Sequence, residues 1–379
     1  MRVIIVGAGP AGLYAAILLK RSRPDLNIRI VEQNPTGVTF GFGVVFSDQA
    51  LAFLRSDDPE TADLIEPHMK HWNDITLVHA GQRITIDGIG FSGIGRLGLL
   101  DRLQARAQAL QISPEYETPI KNVTELSDFD LVIGADGFHS TVRGAAAQVF
   151  GEEISVSKNH FAWFGTNREF DTLTQTFIDT PYGLMNSHHY SYAPGRATFI
   201  IEMSSTTFQA TGFGQMAQTD YRDECERLFA SALGGARLVT NNSVWRQFPT
   251  LNCRNWYHDH QVLVGDALHT VHFSIGSGTR LALEDVIALV SALREHDWNL
   301  ATGLPAYQAT RQPIHDKIAH AGRRSALWYG SFGEHMQLDP WRFALSYMRR
   351  AGRIDAERLR DIAPRFAIDL ELRQIDLET

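Results

Sequence analysis

The chain has 379 residues, 44% hydrophobic, 21% charged and 10% aromatic, a globular composition long enough for more than one domain and outside the disordered, collagenous and coiled-coil ranges. Thirty-five basic against 43 acidic side chains give a net charge of −8, which repels a phosphate backbone and an anionic membrane surface, so neither nucleic acid nor membrane is expected as a partner. Cys225 and Cys253 are too few for a disulfide framework or a thiolate metal set, so a reducing cytoplasm and no bound metal are expected.

Val3-Ile4-Ile5-Val6 is a short β-branched run that predicts a strand buried on both faces. Gly7 to Gly12 reads as a turn, and Leu13 to Lys20 carries apolar residues at helical spacing. The apolar opening has the outline of a signal peptide, but three glycines and a proline interrupt it and no small-residue cleavage site follows, so it reads as mature structure. No uninterrupted apolar run reaches the roughly 18 residues of a membrane span. A second run, Ile28 to Val31, ends in Glu32 and completes a βαβ unit. Asp130 to Ala135 and Gln261 to Val264 predict two more buried strands, each stopping at a glycine-bearing turn, where open parallel sheets bind ligands.

Between these blocks the pattern changes to alternation. Phe161–Thr166, Ser187–Tyr192 and Thr198–Met203 predict antiparallel strands with one face covered, the last two joined by a hairpin at Ala193-Pro194-Gly195-Arg196. From about Pro305 the chain reads helical to its end, with no internal repeat or low-complexity tract.

Gly7-Ala8-Gly9-Pro10-Ala11-Gly12 matches G-x-G-x-x-G, whose glycines let backbone approach a pyrophosphate while a helix N-terminus faces its charge. It follows a strand and opens a helix, and Glu32 lies 20 residues beyond Gly12, where a carboxylate can accept ribose hydroxyls. Gly88-Ile89-Gly90-Phe91-Ser92-Gly93 repeats the pattern without the strand or the acid, and is expected to be a loop. NAD and FAD share this fingerprint.

Two later motifs bear on the choice. Asp136-Gly137-Phe138-His139-Ser140-Thr141-Val142-Arg143 has the form D-G-x-x-S-x-x-R, and Gly265-Asp266-Ala267-Leu268-His269 the form G-D-A-x-H. With Arg96, Leu99 and Leu103 as R-x-x-L-x-x-x-L, the chain resembles the flavin-dependent aromatic hydroxylases of the p-hydroxybenzoate hydroxylase type. The resemblance implies FAD, with Asp266 on its ribitol chain, Arg96 near its phosphates, and Asp136 serving both FAD and the passing NADH or NADPH. The segment His272-Phe273-Ser274-Ile275-Gly276-Ser277-Gly278 lacks the proline pair usual in the family. It is similar to the salicylyl-CoA 5-hydroxylases and the monooxygenase part of 2-aminobenzoyl-CoA monooxygenase/reductase, and more distantly to the violacein-pathway tryptophan hydroxylase. Phe42 to Asp48 and Gly90 to Arg96 point the same way, which places Val45 and Phe46 near the substrate. One departure is Phe40-Gly41-Phe42-Gly43, where many relatives carry an arginine.

The resemblance implies an α/β fold: a Rossmann-like FAD-binding domain (1–73, 96–155 and 258–304), an inserted antiparallel β-sheet substrate domain (74–95 and 156–257) and a helical C-terminal region (305–379). Independently of family, Gly276, Gly278 and Thr279 lead into a helix over Arg280–Leu293, aiming free N–H groups and a positive dipole end at the negative N1–C2 carbonyl edge of reduced flavin. His272 and Phe273 should lie beside that ring, unless His272 is a packing histidine. His188, Tyr190 and Tyr192 share one strand face, opposite His189 and Ser191. With Trp163 they can wall a flat aromatic substrate, or simply fill a core. One of His188, Tyr190 and His272 is expected to polarise the substrate hydroxyl.

The stretch from Arg311 to Arg353 is locally basic, with a net charge of +5. Its Arg323 and Arg324 read either as solvated helix residues or as holders of coenzyme A phosphates. The expected activity, implied by the resemblance, is an FAD-dependent, NADH- or NADPH-driven hydroxylation of an aromatic ring with O2 through a flavin C4a-hydroperoxide, salicylyl-CoA to gentisyl-CoA being the favoured instance. A free indole, tryptophan-like or other aromatic substrate, a reductase that consumes no oxygen, and a non-catalytic flavin-binding regulator are the alternatives. A monomer or a homodimer is expected.

Overall fold

The first three predicted strands of the βαβ type meet in one sheet. The computed structural model of the chain describes every residue except Phe40, Arg353, Glu378 and Thr379, and only the backbone of Asp48 and Gln49. Phe40, in the segment without the arginine, and Arg353, at the end of the basic stretch, therefore lie outside the described residues. Arg2–Val6 pairs in parallel with Asn27–Val31 on one side and Leu131–Gly134 on the other, and Gln261–Leu263 extends the sheet beyond Leu131–Gly134. Tyr257–His258 closes it as an antiparallel edge. The helices Pro10–Ser22 and Gly278–Glu295 pack together, contributing Leu13, Ile17, Leu283 and Leu289 to the same core as Ile4 and Ile133. All four strand carboxyl ends open toward one side, as parallel pairing requires.

The alternating segments form a second, larger sheet. Its strands run in the order Leu238–Val239, Glu152–Thr166, Arg196–Met203, Gly183–Ala193, Leu173–Thr180, Ile75–His79, Gln82–Ile86, with Arg246–Cys253 paired to Glu152–Thr166 off this path. Pairing is antiparallel except between Leu173–Thr180 and Ile75–His79. The period of two decides its faces. Ala162, Phe164, Phe199, Ile201 and Met203 point into a core shared with the helix Gln218–Leu228, while Phe161, Trp163, His188, Tyr190 and Ile200 face the nucleotide sheet.

A small third sheet joins the two. Phe91–Gly95 is its central strand, antiparallel to both Gly43–Ser47 and Lys70–Trp72. The second glycine pattern is thus a loop as far as Gly90, where the strand Phe91–Gly95 begins, and its last glycine serves packing. A Cβ on Gly93 would lie 3.0 Å from the Trp72 ring and 3.1 Å from the Ser191 carbonyl. The C-terminal helices begin at Leu300, with Asn299 as N-cap, and the 31-residue helix Leu300–Gly330 runs through Pro305 and Pro313. Helices Pro340–Arg349, Ala356–Ile362 and Pro364–Leu372 then cover Ile75, Ile84 and Phe177 of the large sheet. Among the described residues no helix is long and apolar enough to cross a membrane.

Candidate active site

A cavity of about 590 Å3 lies between the carboxyl ends of the parallel strands and the facing side of the large sheet. Gly7, Gly9, Pro10, Ala11 and Glu32 line its nucleotide end. Gly7 has φ +103°, open to glycine at little cost, and turns the chain from strand to helix. Gly12 does not line the cavity. Its missing side chain lets the helix sit on the turn, since a Cβ there would fall 1.9 Å from the Gly7 carbonyl oxygen. Glu32 is held from both sides: Oε2 accepts the Ala8 N–H at 2.9 Å, and Oε1 accepts from the backbone and side chain of Asn34.

Asp136 and Asp266 line the middle of the cavity with Arg96. Asp136 Oδ2 accepts the N–H groups of Thr141 and Val142 at 2.7 and 3.3 Å, while its Oδ1 is buried with no partner. Burial pushes this carboxyl above its usual range. An orphaned buried acceptor on a residue of the cavity wall leaves room for a donor from a ligand, and ribitol or ribose hydroxyls supply one. Arg143 of the same motif ties two segments together instead of facing the cavity: it donates to the carbonyls of Phe138 and Ala267 and pairs with Glu152 at 2.7 Å. Asp266 sits on the turn Gly265–Ala267, deep within the protein but open to the cavity. Burial raises its carboxyl, with Arg96 and His269 pulling the other way.

At the next stretch of wall, Gly276 (φ +61°) leads into the N-terminus of the helix Gly278–Glu295, and Gly276, Gly278 and Thr279 all line the cavity beside Val45 and Phe273. The first N–H groups of this helix are free to donate. Glycine backbone, a helix N-terminus, an oriented acid and an orphaned carboxylate together fit FAD.

The far end is aromatic. Phe161, Trp163, Phe248 and Phe91 form walls, and His188, Gln175 and Tyr190 supply polar groups. The Tyr190 hydroxyl is already committed, donating to the Gly43 carbonyl at 2.8 Å. His188 Nδ1 lies 2.9 Å from Gln175 Nε2, and its Nε2 lies 3.2 Å from Glu202 Oε2. Two arginines absent from the sequence-derived site, Arg246 and Arg350, also line the cavity. Arg350 stacks on Tyr347 at 3.8 Å and donates to the carbonyls of Tyr347 and Ser274.

Several expected positions lie elsewhere. Phe46 is buried in the nucleotide-side core, because it alternates with Val45 along a strand. Tyr192 packs beneath glycines, its ring within 2.5 Å of where a Cβ on Gly43 would stand. His272 is a packing histidine: it stacks on Phe273 at 4.3 Å, bonds Ser274 Oγ through Nδ1 at 2.9 Å, and is held by burial to about 4. Arg323 and Arg324 are exposed on the long helix and do not reach the cavity. Arg350 belongs to the basic stretch, but nothing in its sequence neighbourhood separates it from the other arginines there. Gln175 and Glu202 carried no motif, and strand alternation was the one signal that could have found them.

Comparison with known proteins points to the same cofactor. A family described as an FAD binding domain matches residues 108–321, and an NAD(P)-binding Rossmann-like domain matches residues 5–42. A salicyloyl-CoA 5-hydroxylase from Streptomyces sp is 37% identical over 93% of this chain and 70% of its own length. A 3-hydroxy-4-methyl-anthranilyl-[aryl-carrier protein] 5-monooxygenase from Streptosporangium sibiricum is 33% identical over 87% of this chain and 89% of its own. Among solved structures, 2-methyl-3-hydroxypyridine-5-carboxylic acid oxygenase shares the fold, with a TM-score of 0.68 at 18% identity over 92% of this chain and 95% of that one.

Proposed function

The chain belongs to the FAD-dependent aromatic monooxygenases, and from that premise we propose that it hydroxylates salicyloyl-CoA at C5, giving gentisyl-CoA. One observation carries the choice of substrate: 37% identity over 93% of the chain to a salicyloyl-CoA 5-hydroxylase. The carrier-protein relative supports the same class, an aryl group presented on a carrier. Overall, substrate, O2, NADH or NADPH and a proton give the hydroxylated ring, water and the oxidised nicotinamide.

Bound FAD supplies the transfer of electrons from the nicotinamide and the activation of oxygen. Gly7, Gly9, Pro10 and Ala11 would hold its pyrophosphate, Arg96 its phosphate charge, Glu32 its ribose, and Asp136 and Asp266 its remaining hydroxyls. The N–H groups at Gly276, Gly278 and Thr279 would meet the carbonyl edge of its ring and favour negative charge there. Phe161 and Phe248, in contact with each other, and Trp163 wall the space for the substrate ring and exclude water. We place the ring hydroxyl at the polar corner made by His188 and Gln175, because the Tyr190 hydroxyl is committed and His272 is off the wall. Arg246 and Arg350 suit the phosphates or thioester carbonyl of the acyl chain better than Arg323 and Arg324, which are not on the cavity.

The test is oxygen uptake and NADH or NADPH oxidation by the purified holoenzyme with salicyloyl-CoA, free salicylate and tryptophan in parallel. The expected result is stimulation by the thioester, with one atom from 18O2 in the product. Stimulation by free salicylate or tryptophan alone would overturn the thioester assignment, and oxygen drawn from water would overturn the reaction.

A further inference from the structure

A hydrogen-bonded chain crosses the substrate end of the cavity wall and ends on a buried acid. Glu202 is 1% exposed, yet it lies on the strand Arg196–Met203 among Ile200, Ile201 and Met203. Its Oε1 accepts from Asn159 Nδ2 at 2.9 Å, and its Oε2 faces His188 Nε2 at 3.2 Å. Burial works to raise this carboxyl, but the hydrogen bonds from His188 and Asn159 and the nearby imidazoles outweigh it and hold it below its usual range. A carboxylate beside Nε2 requires a donor, and the His188 tautomer with its proton on Nε2 supplies it and leaves Nδ1 bare.

The bare Nδ1 determines which way the Gln175 amide points. Nε2 of Gln175, at 2.9 Å, donates to it, and Oε1 then accepts from the Tyr329 hydroxyl at 3.1 Å. Asn186 agrees once its amide is turned: its Nδ2 now lies 3.1 Å from His188 Nε2 while its buried Oδ1 has no partner, and exchanging the two gives the imidazole N–H a second acceptor. A carboxamide nitrogen has two protons, and only one of those on Gln175 is engaged. Gln175 lines the cavity.

We infer that Gln175 donates its second N–H to the ring oxygen of the substrate, and that Glu202 is the positioning residue that keeps it a donor, acting through His188. The inference rests on the aromatic hydroxylase reading but not on the thioester. A fixed N–H facing an aryl hydroxyl stabilises its phenolate form, the form that pushes electron density to the carbon para to it. Without the Glu202 charge His188 can carry its proton on Nδ1. The Gln175 amide then turns its carbonyl to the cavity, and the bound phenol keeps its proton.

The experiment reads the ionisation of bound ligand in the oxidised holoenzyme, without reductant. Salicyloyl-CoA is titrated into parent, Glu202→Gln, Gln175→Leu and Tyr329→Phe proteins across pH, and the phenolate band is followed by difference absorbance. The parent should show phenolate at lower pH than free ligand. The phenolate-to-phenol ratio should fall about tenfold in Glu202→Gln and Gln175→Leu, the size of one lost hydrogen bond to an ionised group, and less in Tyr329→Phe. Product formed per nicotinamide oxidised should fall in the same order. FAD content and melting temperature identify any variant that fails to fold, and Tyr329→Phe, which removes one hydroxyl, keeps the test open in that case. An unchanged band in folded Glu202→Gln and Gln175→Leu would overturn the inference. Parent protein that binds no aryl thioester overturns the substrate reading instead, and the same titration with free salicylate then tests Gln175.

Discussion

Asp285 Oδ2 accepts the main-chain N–H of Gly265 at 3.1 Å, across 20 residues. The same carboxylate lies 2.9 Å from His269 Nε2, at ion-pair distance though off the line of a full hydrogen bond, and 3.0 Å from Arg311 Nε. A helix residue thereby fixes the turn that carries Asp266 to the cavity. Burial would raise the Asp285 carboxyl, but His269 and Arg311 hold it at about 2.

Asp285→Asn should lower stability by about 2 kcal/mol, since it removes one of the two carboxylates paired with the buried Arg311, Glu284 remaining at 2.8 Å. Because the folded value of about 2 lies below the ordinary 3.8, the contribution is full above about pH 4 and is lost as pH falls toward 2. Urea unfolding at pH 7 and at pH 3 checks both statements: the parent should weaken between the two, and the variant less so.

Asp266→Ala should release FAD, weakening its affinity by about tenfold to a hundredfold, the range for loss of a charged hydrogen-bond acceptor. Flavin fluorescence on titrating apoprotein measures it. An affinity equal to that of the parent would remove Asp266 from the FAD site.

The three histidine and tyrosine candidates should separate in coupling. His188→Ala should let nicotinamide oxidation outrun product several-fold, because the polar corner loses its orientation. Tyr190→Phe should have a smaller effect, its hydroxyl being spent on the Gly43 carbonyl. His272→Ala should change stability more than coupling. The ratio of hydroxylated product to NADH or NADPH consumed decides among them.

His272 also predicts a second pH effect. Burial holds its imidazole at about 4 against an ordinary 6.5, so the unfolded chain takes up the proton first as pH falls. The stability from keeping the ring neutral is full above pH 6.5 and lost between there and about 4. His315, held to about 3 mainly by burial, acts in the same direction. Melting temperature should fall across this window in the parent and fall less in His272→Gln.

Arg350→Gln should raise KM for the thioester about tenfold with little change in kcat, the pattern of binding lost equally from ground and transition states. Charge reversal at Arg323 or Arg324 should change KM by less than about threefold, as for exposed charges screened by salt. Steady-state kinetics at low and moderate ionic strength compares them.

Local rules made the nucleotide half of this protein legible. A β-branched run, a glycine turn, an apolar helix and an acid at the end of the next strand each constrain backbone within a few residues, so Val3–Val6, Gly7–Gly12 and Glu32 could be read in order. The glycine-rich entry to the helix Gly278–Glu295 was readable for the same reason. The chemistry of the other half depends on which strand faces meet across the sheet. Val45 and Phe46 are neighbours, and a period of two sends one to the cavity and the other to the core, a choice that only strand pairing makes. Gln175 and Tyr329 are 154 residues apart, joined because the long C-terminal helix packs against the sheet. Arg350 was one arginine among several until the fold placed it on the cavity. Side-chain polarity is written in the sequence, but which polar groups share a buried wall is settled by long-range packing, since burial removes water as the alternative partner and makes each such group seek another.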